Sequence, residues 1–117
     1  MKRIDVPTLH GAAWAAIELE RLRRALRRGG VAAAVVHSPS AAPARGTRGV
    51  HAILRRRRAT CLERSLILQQ WYAAQGAPRD VVIGVTAPAE GFAAHAWLDG
   101  DPAEAGSAFR EIHRLAP

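Results

Sequence analysis

The sequence predicts an α+β fold, and three observations carry that prediction. The first half shows helical periodicity, an apolar helix with an explicit start signal follows at Cys61, and short β-branched runs separated by turn residues come only after it. A chain of 117 residues has room for one domain with a modest core. It divides into an N-terminal helical segment over 1–37, a loop over 38–49 and a denser core over 50–117.

Residues 1–10 are polar and hold Pro7, which predicts an irregular lead-in. From about Ala12 to Arg28 the apolar positions Trp14, Ile17, Leu22, Ala25 and Leu26 recur at helical spacing, until Gly29-Gly30 stops the pattern. Val31 to Val36 is an apolar run too short to tell a strand from a helical turn. Residues 38–49 hold two prolines, two glycines and no large apolar side chain, the composition of a loop. Val50, Ile53 and Leu54 mark a short helix running into Arg55-Arg56-Arg57-Arg58.

Thr60 is a good N-cap, and Glu63 three positions later completes a capping box. The helix it starts, from Cys61 to about Gln75, is apolar on most sides and therefore central. Gly76-Ala77-Pro78 ends it. Val81 to Thr86 is a β-branched strand, and Ala87 to Gly91 a turn. Over 92–98 the alternation sets Phe92, Ala94, Ala96 and Leu98 on one side and Ala93, His95 and Trp97 on the other. Asp99-Gly100-Asp101-Pro102 turns again, and 108–115 fits a last strand imperfectly.

The net charge is +7, concentrated in Arg21, Arg23, Arg24, Arg27 and Arg28 and in the run Arg55 to Arg58. Such a surface attracts nucleic acid, anionic membrane or an acidic protein, the alternative being solvated helix faces. Nucleic acid is disfavoured as a partner: aromatics make up 5% of the residues, and no helix-turn-helix, zinc or RNP-type pattern interleaves with the arginines. The single cysteine excludes an intrachain disulfide. No apolar run is long enough to span a bilayer and the first residues lack a signal-peptide core, so a cytoplasmic location without membrane association is expected.

Chemistry concentrates on Cys61. As first helical residue it meets unpaired backbone N–H groups and the positive end of the helix dipole, which favour the thiolate, the nucleophilic form. The alternative is a small buried hydrophobe. A thiolate needs a base, and His95, in a strand between small alanines with Trp97 to wall the site, is the best placed. A core histidine bonded to backbone is the alternative. His10 and His37 lie in the irregular first third, His51 precedes the arginine run and His113 is in the last segment. No metal-ligand spacing and no phosphate loop occur, so no metal or cofactor is expected.

Three blocks, Cys61-Leu62-Glu63-Arg64-Ser65-Leu66, Val82-Ile83-Gly84-Val85 and Gly91-Phe92-Ala93-Ala94-His95-Ala96-Trp97-Leu98, resemble in order and spacing those of the transglutaminase-like B2 proteins of lasso peptide biosynthesis. The resemblance implies a transglutaminase-like, papain-like cysteine protease fold, with the Cys helix packed on a small antiparallel sheet that bears the His. It implies a leader peptidase: Cys61 as nucleophile, His95 as general acid/base, and a ribosomally made precursor peptide as substrate. It also implies a separate leader-recognition protein and a peptide cyclase as partners. The family's aspartate on the strand after the histidine falls here at Ala105-Gly106-Ser107-Ala108, which holds no acid. Asp101 is the first substitute, with Asp99 and Glu104 behind it; an ordinary turn acid, with a backbone carbonyl assisting a Cys–His dyad, is the alternative. Arg55, Arg56, Arg57 and Arg58 would bind an acidic precursor or partner, or raise the local potential. A basic binding module without catalysis and an acyltransferase on the same fold are the competing functions.

Overall fold

The computed structural model of the protein describes residues 5–86, 93–101 and 109–117. Helix α1 spans Val6–Gly29, beginning well before Ala12. The reason is a cap that apolar periodicity does not register: Asp5 Oδ1 accepts from the Thr8 amide at 2.9 Å, and Pro7 sits in the first turn, where a missing N–H costs nothing. Hydrogen bonding by Thr8, through its side chain first and its amide second, holds the Asp5 carboxyl below its usual pKa. The lead-in is therefore helical from Val6 onward. Gly30–Ala33 then forms a 3₁₀ turn, so the apolar run at 31–36 is not a strand. The segment after it is tied back by buried Glu18, whose carboxylate accepts from the His37 amide at 2.7 Å.

The predicted loop ends early. A 3₁₀ turn at Ala44–Gly46 leads into helix α2, Thr47–Arg56. Gly46 and Gly49 are buried because α1 and α2 approach backbone to backbone there: a Cβ on Gly49 would run into the Thr8 carbonyl oxygen, and one on Gly11 into that of Gly46. Helix α2 closes in a Schellman turn, with Ala59 N donating to Leu54 O at 2.9 Å and Arg58 N to Arg55 O at 3.1 Å. Arg58 takes the left-handed position, φ 51°.

Helix α3, Cys61–Ala74, starts with the expected capping box. It buries Leu66, Ile67, Leu68 and Trp71. Trp71 joins the three helices: its ring lies 5.3 Å from that of Trp14, and its Nε1 donates to Thr47 Oγ1 at 2.9 Å.

The sheet has antiparallel strands β1 (Val81–Val85), β2 (Ala94–Leu98) and β3 (Arg110–Leu115) in the order β2-β1-β3. Val81 pairs with Leu98 and with Leu115, and an irregularity between Ile83 and Gly84 skips Ile112. One face packs on α3, where Val81, Ala96 and Leu98 join Leu66, Ile67 and Trp71 in the core. Buried Gln69 fastens the layers, its amide donating to Arg79 O at 3.0 Å and Leu115 O at 2.7 Å. The arrangement is α+β, with the cysteine-bearing helix on a small antiparallel sheet. No helix among the described residues is long and apolar enough to cross a membrane.

Candidate active site

Cys61 is the first residue of α3, half-buried, with a free thiol. Glu63 N donates to Thr60 Oγ1 at 3.2 Å and Thr60 N to Glu63 Oε1 at 2.9 Å. These bonds use the amides on either side of the Cys61–Leu62 pair and leave those two without an acceptor among the described residues. Two N–H donors beside a thiol suit an oxyanion formed at the thiol's target carbonyl.

The cap is braced from α1. Arg23 forks onto Glu63, Nε to Oε2 at 3.2 Å and an NH2 nitrogen to Oε1 at 3.3 Å, while the same nitrogen donates to Arg57 O at 2.8 Å. Arg23 had the look of a solvated basic face; nothing in its local pattern distinguishes it from Arg24. Within the second arginine run, Arg57 pairs with Glu20 at 3.2 Å. Arg55, Arg56 and Arg58 are exposed and have no ion-pair partner among the described residues.

His95 and Trp97 share the sheet face away from α3, since Ala96 and Leu98 occupy the core face. The His95 ring stacks on Trp97, centroids 5.7 Å apart and planes at 21°, and Phe109 approaches it at 5.0 Å. Gly84 makes room for this trio. It stands opposite His95 in the register, and a Cβ there would meet the Trp97 ring at 2.9 Å and the Phe109 Cβ at 3.0 Å. Phe109 belongs to the expected last strand over 108–115, and nothing in that segment's pattern singles it out for the site.

The structure thus brings His95 and Trp97 together, and it sets Cys61 and His95 on different sides of β2 with no hydrogen bond between them. Asp101 is engaged at the far end of that strand, Oδ2 accepting from Leu98 N at 3.1 Å and Oδ1 from Arg79 at 3.3 Å. Asp99 pairs with Arg114 at 3.0 Å. Both act as turn acids here. Phe92, Glu104 and the Ala105–Ala108 stretch lie outside the described residues.

One further group is perturbed. Burial pushes the His51 imidazole below its ordinary pKa, and the nearby Arg64 and Arg55 guanidinium groups push it further. Among the described residues, no three of His, Cys, Asp and Glu converge in a way that could hold a metal ion.

Against known proteins, the profile of one family, the Transglutaminase-like superfamily, matches residues 10–114. No curated protein and no solved structure matches the chain.

Proposed function

Because the chain belongs to the transglutaminase-like superfamily, whose members include cysteine peptidases and acyltransferases, we propose that it is a cysteine peptidase acting on a precursor peptide, with Cys61 as nucleophile and His95 as general acid/base. The observation that carries this is the start of α3: a half-buried free thiol at the first helical position beside two unspent amides. The three motif blocks support the finer reading, removal of the leader from a lasso-type precursor.

The Cys61 thiolate attacks the carbonyl carbon of the last leader residue, and the Cys61 and Leu62 amides take the oxyanion. The C–N bond breaks, the core amine leaves with a proton from the His95 imidazolium, and a thioester remains. Water then attacks the thioester, His95 takes its proton, and the leader departs with a free carboxylate as the thiolate is restored. In this scheme His95 comes to the α3 side of β2 in the complex with peptide and a separate leader-recognition protein, which is a rearrangement of the strand and not the tightening of an existing contact. Asp101, with both oxygens engaged, does not orient the imidazole; the pair works as a dyad. The cyclase would act next, on the new core N-terminus.

The test is mass spectrometry of a candidate precursor incubated with the leader-recognition protein and either wild-type protein or Cys61→Ala. The expected result is one cleavage, with the rate reduced at least about 10³-fold by the substitution. Cleavage that survives Cys61→Ala, or none by folded wild-type protein with its partner, overturns the reading. A product carrying an amine in place of water at the new carboxyl end would assign acyl transfer instead.

A further inference from the structure

Cys61, Arg64, Leu68 and Tyr72 fall at i, i+3, i+7 and i+11, one stripe of α3. Helix α2 lays His51 against this stripe, with Nε2 3.4 Å from the Tyr72 hydroxyl oxygen. Arg55 lies one turn beyond His51 on α2, and Arg64 comes from α3; both are near enough to act on the imidazole charge. A third guanidinium, of Arg79, stands over the Tyr72 ring at 5.0 Å, but it is already paired with Asp101.

Arg55 and Arg64 are exposed, and neither has an ion-pair partner among the described residues. The acids of α1 and α3 that could serve them are committed elsewhere: Glu18 to Arg21, Glu20 to Arg57 and Glu63 to Arg23. Two guanidinium groups set about the half-buried His51 ring without a counter-ion repel one another, and an anion placed between them relieves that repulsion. Guanidinium forks match carboxylates bidentately, and an imidazole and a phenol add donors beside them.

We propose that Arg64, Arg55 and His51 form a subsite for acidic side chains of the peptide whose carbonyl Cys61 attacks. This rests on the peptidase reading and adds the substrate's charge to it. Arg64 lies three residues from Cys61, about 4.5 Å of helix rise, which is one to two residues of extended peptide at roughly 3.3 Å each. An acid one or two positions from the scissile carbonyl therefore meets Arg64, and acids further along meet Arg55 and His51. The cluster is compact, and the Tyr72 ring beside it lies under the Arg79 guanidinium, which leaves no run of stacking faces for successive bases and favours a carboxylate peptide over a nucleic acid strand.

The probe is a dye-labelled, end-capped tetraglutamate peptide, compared with its tetraglutamine counterpart by fluorescence anisotropy at low salt. Tetraglutamate is expected to bind at least about tenfold more tightly, and Arg55→Gln with Arg64→Gln to remove about that factor. Arg24→Gln with Arg28→Gln leaves binding within about twofold, and the His51 ring resonances move as tetraglutamate is added. Equal losses from the two double variants would assign the affinity to net charge and overturn the subsite. So would displacement of the peptide by a short uridylate at lower concentration than by free tetraglutamate. Precursor cleavage is read separately: glutamate binding in a protein that cleaves nothing keeps the carboxylate site and overturns its link to a scissile carbonyl, and cleavage indifferent to Arg55 and Arg64 keeps the peptidase and overturns the subsite.

Discussion

Arg58 carries its weight through its backbone. It holds φ 51° at the end of α2, the left-handed position that a Schellman turn requires and that glycine fills without a Cβ clash. A side chain there costs about 1 kcal/mol. Arg58→Gly is therefore expected to stabilise the protein by about 0.5–1 kcal/mol, read as a higher urea midpoint at unchanged slope; a lower midpoint would show that the guanidinium contributes more than the backbone loses. The sequence presents Arg55 to Arg58 as one block of charge, yet neighbours in it do different things. Arg57 binds Glu20 and offers its carbonyl to Arg23, Arg58 turns the chain, and Arg55 faces His51. Composition registers charge and is blind to φ.

Among the elements, the legible and the illegible differ by range. The start of α3 could be read because Thr60 and Glu63 are three residues apart and satisfy each other. The start of α2 could not, because Gly46 and Gly49 carry the same letters as turn residues while serving close packing against α1, and only the distant Thr8 and Trp71 reveal which. Gly49→Ala tests this reading. Its methyl group has no place beside the Thr8 carbonyl, so α1 and α2 must separate, and a loss of about 3 kcal/mol is expected in chemical denaturation with helical circular dichroism retained. In a true loop the same change would be neutral or slightly stabilising.

For the molecule as a whole, the element order and the α+β class followed from local patterns, whereas the separation of Cys61 and His95 by β2 did not. Period-two alternation states that His95 and Trp97 share a face; it is silent on which face α3 covers, and Ala96 and Leu98 take that one. Global stability carries a further signature. The folded His51 pKa lies below its ordinary 6.5, lowered by burial and then by Arg64 on α3 and Arg55 on its own helix, with the Tyr72 hydroxyl at its Nε2. Above 6.5 the ring is neutral in both states and its contribution is complete; as pH falls below 6.5 the unfolded chain takes the proton first, and stability declines until the folded ring protonates too. The urea midpoint should fall from pH 7 to 5.5, and less so in His51→Gln; identical slopes would place the dependence elsewhere. The Arg23 fork on Glu63 joins positions 40 residues apart. Synthesis delivers α1 first, but the tip of α3 gains its brace only when that earlier helix docks. Until then Glu63 is held by Thr60 alone, so the turn that carries Cys61 is shaped locally and stiffened only once the distant helix is in place.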